Sequence, residues 1–347
     1  MIYFNNDYAE GCHPKVLELL MKTNLEQTPG YGMDNYCRQA ADCIRKLCDT
    51  DALSVHFLVG GTQANLTVID AALRPHQAVL GAVSAHINVH ETGAVEATGH
   101  KVLSVESQDG KITARQVAEC ANAHMVDDAR EHTAQPKMVY ISNPTELGTI
   151  YTLQELEDIS ALCKEYGLYL FMDGARLGYG LTAAGNDVTM ADLARLCDVF
   201  YIGGTKVGAL FGEAVVISNT DIAADFRYLI KQHGGMLAKG RLLGVQFLAL
   251  LRDNLYFDIA RSANRLADQL RDTFAQLGYP LLVEGVTNQV FPILPDKVLE
   301  ELAKDFSFTE QERVDDGHRA VRFCTSWATS EENVSLLCDR LTKLSQM

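Results

Sequence analysis

Residues 168–178 read LYLFMDGARLG and residues 199–212 read VFYIGGTKVGALFG. Residues 168–172 form an unbroken apolar run, short enough for a strand covered on both faces, and Asp173 stands where the run ends. Residues 199–202 end in the same way, with Gly203, Gly204 and Thr205 leading to Lys206. In open α/β sheets, ligands bind outside the carboxyl ends of the strands. The two runs are therefore expected to offer one carboxylate and one amine to a common site. The glycines beside the lysine suit a close approach of backbone to ligand.

Upstream, residues 55–59 read as a strand, Gly60-Gly61-Thr62 as a turn, and 63–73 as a helix that Arg74-Pro75 stops. Unpaired N–H groups and the helix dipole favour a phosphate at such a helix start. A plain strand-to-helix turn has the same sequence, and neither a G-x-x-x-x-G-K-[ST] nor a G-x-G-x-x-G loop is present. Strands at 78–83, 101–105, 137–142 and 214–217 alternate with helices near 88–98, 113–123 and after a capping Thr152. That alternation predicts an α/β fold with a mostly parallel sheet. Helical patterns at 247–251 and 259–277, short strands near 281–283 and 290–293, an acidic helix and a late RFCTSWAT (322–329) read as a compact α+β end. The expected division is a large domain over 1–245 and a small carboxyl-terminal domain over 246–347.

The composition narrows the function classes. With 45 acidic residues against 30 Lys+Arg, the net charge is −15. No basic stripe is present, which argues against nucleic acid and anionic membrane surfaces as partners. Nine cysteines without a C-x-x-C pair read as reduced thiols of a cytoplasmic enzyme rather than a disulfide framework. No apolar run reaches about 18 residues, and no basic-then-apolar leader precedes the fold, so neither membrane insertion nor export is expected.

An amine and a carboxylate at neighbouring strand ends have a joint chemical use. Pyridoxal phosphate needs an amine to bond its aldehyde and a carboxylate to keep its pyridine nitrogen protonated, so that the ring draws electrons from the substrate. On the residues alone, a solvated lysine in a glycine loop and a helix-capping aspartate are the competing interpretation.

With these residues in order, the chain resembles the pyridoxal-phosphate enzymes of the aspartate-aminotransferase fold, fold type I. More closely, it resembles the threonine aldolase branch of the β-eliminating lyase family. The carriers are GGTQAN (60–65), AHINVHETGA (85–94), MDGARL (172–177), GGTKVGA (203–209), GGM (234–236) and RFCTSWAT (322–329). The resemblance implies pyridoxal 5'-phosphate as cofactor, Lys206 as the lysine bonded to it, Asp173 as the pyridine-nitrogen partner, and Gly61 and Thr62 on the phosphate. It also implies that His86 stacks on the cofactor ring and serves as an acid/base group. Arg176 would reach the cofactor phenolate or the substrate, with a structural salt bridge as its alternative. Arg322 would grip the substrate's α-carboxylate, with Asn6, in a substrate-contacting segment 1–35, nearby. Lys231, Lys239 and Arg241 would reach the phosphate of a neighbouring subunit in a homodimer or homotetramer, with a solvated basic loop as their alternative. His86 and His90 have i,i+4 spacing, but no third ligand accompanies them and no metal is expected. One departure concerns SNPTELGT (142–149), where the family often reads ENTHNG with a histidine near the substrate hydroxyl.

The activity implied is retro-aldol cleavage of L-threonine or L-allo-threonine to glycine and acetaldehyde. The alternatives are β-elimination or transamination of another amino acid with the same cofactor, and a non-catalytic small-molecule binder on this fold.

Overall fold

The computed structural model describes residues 1–346. Its centre is a seven-stranded sheet of β1 (Ser54–Leu58), β2 (Gln77–Ala82), β3 (Lys101–Val105), β4 (Gln135–Ser142), β5 (Tyr169–Asp173), β6 (Val199–Gly203) and β7 (Glu213–Ile217). The order is β1-β7-β6-β5-β4-β2-β3. Strands β2 to β6 pair in parallel, whereas β7 lies antiparallel between β6 and β1. The mostly parallel sheet expected from the alternation is present. The exception has a local cause: residues 204–212 are too short to hold a crossover helix, so the chain can only turn back beside β6. That connection carries Lys206.

Burial follows the apolar runs. Every residue of β2, β6 and β7 is buried, while the edge strand β3 exposes Lys101 and Ser104. A lysine on an edge discourages pairing with another chain. Thr152 caps the helix Leu153–Tyr166 reciprocally with Glu155, and Gly167 ends it in the left-handed region.

Two departures from the sequence expectations bear on the site. In place of one helix over 88–98, two single turns, His86–Val89 and Ala94–Ala97, flank Thr92 (φ 54°) and Gly93 (φ 71°). These left-handed residues break the helix, and Glu91, just ahead of them, is buried. The amino terminus is more than turns. Ile2–Tyr3 pairs in parallel with Phe306–Ser307, and Phe4 packs on the rings of Phe306 and Phe323.

Phe4 belongs to a second apolar cluster with Leu270, Phe274, Val290, Phe323 and Leu337, separate from the one around the large sheet. There the strand near 281–283 reduces to a single bridge between Leu281 and Pro292. A hairpin, Thr309–Arg313 with His318–Cys324, supplies Arg322. Its first strand, TEQER, is largely exposed and has no apolar face to reveal it. Among the described residues, no helix is long and apolar enough to cross a membrane.

Candidate active site

The ends of β5 and β6 are joined backbone to backbone. The Gly203 N–H donates to the Gly174 carbonyl at 2.9 Å. A methyl group on Gly174 would stand 1.9 Å from the Tyr201 carbonyl oxygen, and one on Gly203 would stand 2.2 Å from that of Ala175. The space beside Gly204 is filled by Gly212 and Phe247. Close packing within the protein, rather than room for a ligand, therefore explains Gly203 and Gly204. This corrects the sequence-based reason for them.

The seam brings Asp173 and Lys206 within electrostatic reach. Burial pulls the Lys206 ammonium below its usual range and Arg176 adds to this, while Asp7, Asp173 and Glu213 oppose it. The lysine loop is fixed on both sides. The Tyr179 hydroxyl donates to the Lys206 carbonyl at 2.6 Å. Glu213, buried at the start of β7, accepts from the Thr205 hydroxyl at 2.8 Å and the Gly204 N–H at 3.2 Å. Burial pushes the Glu213 carboxyl up to about 8.

Asp173 is held on both oxygens. Its Oδ1 accepts from the Ala175 N–H at 2.9 Å, and its Oδ2 accepts from Asn65 Nδ2 at 3.2 Å and from the Tyr140 hydroxyl. Burial, reinforced by the charge of Asp173, raises the Tyr140 and Tyr201 phenols well above their usual range, so both stay protonated donors.

Asn65 comes from the helix Gly61–Ala72, whose start faces the same region. Gly60 brings no capping side chain, and the first-turn N–H groups, including those of Gly61 and Thr62, have no acceptor within a helix. Gln63 fastens this turn, accepting from the Val59 N–H at 3.2 Å and donating to the His233 carbonyl at 3.0 Å.

His86 opens the next short helix. Its Nδ1 lies 2.7 Å from Glu91 Oε1, and its backbone N–H donates to Glu146 Oε1 at 3.0 Å. Ser142 donates to the same Glu146 oxygen at 2.7 Å, and burial raises the Glu146 carboxyl. Of the polar residues in SNPTELGT, only Glu146 reaches His86. Asn143 accepts from the Tyr151 N–H, and Thr145 bonds Thr149 and the Asp109 carbonyl, so both serve to hold the loop in place. The His90 ring is centred 5.5 Å from that of His86.

Arg176 pairs with Asp7 through Nε–Oδ2 at 2.7 Å and Nη2–Oδ1 at 2.9 Å. Asn288 donates to Asp7 Oδ2 at 2.9 Å. Arg322 donates to the Asn5 carbonyl at 3.0 Å and to Gln289 at 3.3 Å. Arg322 Nε and Asn5 Oδ1 are buried without a partner among the described residues. Asn6 accepts from the Tyr8 N–H at 3.0 Å, which shapes the local turn. In the 231–241 segment, Lys231 lies over the Tyr31 ring and Arg241 donates to the Glu26 carbonyl.

Four buried groups of this region escape the motif reading: Asp7, Asn65, Glu91 and Glu213. Asn65 closes the GGTQAN motif and Glu91 lies inside AHINVHETGA, so their motifs are legible although their individual roles are not.

The groups present fit pyridoxal phosphate. Free N–H groups at one helix start suit its phosphate, the acid Asp173 suits its ring nitrogen, and an amine of reduced basicity suits its aldehyde. Unpartnered polar atoms on Asn5, Arg322 and Glu91 lie among the residues of this region. The backbone has the fold of the type I pyridoxal-phosphate enzymes. It superposes on a Thermus thermophilus aspartate aminotransferase double mutant with a TM-score of 0.73 at 17% identity, covering 99% of this chain and 91% of the other. Within that fold, the chain belongs to the beta-eliminating lyase family, whose model matches residues 9–296.

Two similar proteins are low-specificity L-threonine aldolases of Pseudomonas. The P. aeruginosa protein is 32% identical over 335 residues and that of Pseudomonas sp. is 34% identical over 340, each alignment covering 95% of this chain and 94% of the relative. A solved threonine aldolase of Leishmania major is 47% identical with a TM-score of 0.96, covering 99% of this chain and all of the other.

Proposed function

We propose that this chain is a pyridoxal-phosphate-dependent threonine aldolase, an aldehyde-lyase that cleaves L-threonine or L-allo-threonine to glycine and acetaldehyde. The observation that carries the reading is the convergence of Lys206 and Asp173 at adjacent strand ends, on a backbone that matches the L. major threonine aldolase from end to end. The bound cofactor supplies an aldehyde for amines and a ring that draws electrons from the substrate's Cα.

Each residue then has a task. Burial around Lys206 pulls its ammonium below the usual range, which favours the unprotonated, nucleophilic amine. Asp173, held by Asn65 and Tyr140, keeps a proton on the ring nitrogen. The first-turn N–H groups of Gly61 and Thr62 hold the phosphate. His86 would stack on the cofactor ring, and its Nε2, opposite the nitrogen bound to Glu91, would take the proton of the β-hydroxyl as the Cα–Cβ bond opens. Arg322 grips the α-carboxylate, a fit for a planar guanidinium that fixes which Cα bond faces the ring. Asn6, next to the Asn5 whose carbonyl accepts from Arg322, would contact the substrate there. Arg176, anchored by Asp7 through Nε and Nη2, leaves Nη1 for the cofactor phenolate or the substrate.

In the same reading, the protein works in the cytoplasm as a homodimer or homotetramer, with Lys231, Lys239 and Arg241 turned to the neighbouring subunit. The chain divides near residue 245. The similar proteins named above do not favour β-elimination or transamination. Release of acetaldehyde from L-threonine by the purified, cofactor-loaded protein is the test, and a colourless protein that takes up no pyridoxal phosphate would overturn the reading.

A further inference from the structure

Asn65 stands between two buried acids. Its Nδ2 is 2.7 Å from Glu91 Oε1 and 3.2 Å from Asp173 Oδ2. Both partners are carboxylate oxygens, so the amide has one satisfactory orientation, with its NH2 group toward them. Glu91 Oε1 also meets His86 Nδ1 at 2.7 Å. A continuous line of hydrogen bonds therefore runs from Tyr140 through Asp173, Asn65 and Glu91 to His86.

Glu91 is an unusual residue to bury. Its side chain is 0% exposed, its other oxygen has no partner among the described residues, and Oε1 meets only Asn65 Nδ2 and His86 Nδ1. An acid buried this way is costly unless its charge is matched. The imidazole offsets that cost with a hydrogen bond, since a carboxylate only accepts and a neutral imidazole has a single N–H to give.

We propose that Glu91 and Asn65 are positioning residues: Glu91 fixes His86 in the Nδ1–H form with a bare Nε2 facing the substrate, and Asn65 holds Glu91 in register with Asp173. Glu91 also stabilises the imidazolium that forms when Nε2 accepts a proton. Asn65 gives each of two neighbouring carboxylates a donor and so keeps them from repelling each other out of place. The assignment of a chemical step to His86 rests on the aldolase reading above, whereas the tautomer and the ring orientation do not.

The test uses cofactor-loaded protein labelled with 15N-histidine, in which the His86 signals are those lost in His86→Asn. Unmodified protein is expected to show a protonated Nδ1 and a bare Nε2. Glu91→Leu should mix the tautomers and lower kcat by about 100-fold, with KM changed less than about threefold. Glu91→Gln keeps an acceptor at Oε1, so it should retain the tautomer while kcat falls about tenfold through loss of the charge. Asn65→Leu should behave as a weaker Glu91→Leu.

An unaltered tautomer and kcat in Glu91→Leu would overturn the proposal. Should that variant not fold, a Glu91→Gln protein with the kcat of the unmodified enzyme would overturn it. Failure of the unmodified protein to release acetaldehyde would count against the aldolase reading, and the nitrogen signals would then decide this inference alone.

Discussion

Arg176, three residues beyond the strand-end acid, is clamped by Asp7 of the amino-terminal segment through two hydrogen bonds of 2.7 and 2.9 Å. Burial alone would raise the Asp7 carboxyl, but the charges of Arg176 and Lys206, with hydrogen bonds from Arg176 and Asn288, bring it below the ordinary carboxylate range. The pair thus ties the first residues of the chain to the floor of the site. Asp7→Ala leaves a buried guanidinium without its partner and should cost about 3–5 kcal/mol in denaturant unfolding. A loss below about 1 kcal/mol would mean that the clamp is structurally idle.

Lys206→Ala should abolish the absorbance band of the lysine-bonded cofactor and lower turnover by at least about 1000-fold. The fold should persist, because the loop around Lys206 is held by its backbone, by Thr205 and by Glu213. A yellow, active Lys206→Ala protein would remove this lysine from the account.

Glu213 makes stability depend on pH in a stated direction. Its carboxyl ionises at about 8 in the folded chain against an ordinary 4.5, so between those values the folded state holds more protons than the unfolded one. By linkage, the contribution of this group is complete below 4.5 and declines as pH rises through about 8. Glu213→Gln should therefore lose less stability than the unmodified protein between pH 5 and pH 8. Denaturation midpoints that fall in parallel for the two proteins would contradict this.

Arg322→Leu should raise KM for the amino acid by about 10- to 100-fold, the worth of one or two hydrogen bonds to a charged group. A molecule with the amine but no carboxylate should bind the two proteins alike. Steady-state kinetics on L-threonine together with amine inhibition separates these effects. An unchanged KM would place the carboxylate elsewhere.

The parts legible in the sequence are those whose signal is local. The β5 and β6 runs end in Asp173 and toward Lys206 because apolar strands buried on both faces admit no polar residue before their ends. Thr152 announces its helix through the reciprocal cap with Glu155. Less visible are features made by distant partners. Ile2–Tyr3 is too short to show alternation and becomes a strand only beside Phe306–Ser307. The helix expected over 88–98 fails because Thr92 and Gly93 adopt left-handed backbone, and only the folded chain reveals that Glu91 is wanted inside. Asp7 is one acid in a polar opening segment until Arg176, far along the sequence, closes on it. Spacing finds residues that share an element, and it misses pairs assembled across the fold.

The measurement that bears most directly on the account is the product balance from L-threonine with the purified, cofactor-loaded protein. The account predicts glycine and acetaldehyde in equal amounts, with no release of ammonia. Ammonia with a 2-oxo acid, in the absence of acetaldehyde, would keep the cofactor residues and contradict the retro-aldol reaction.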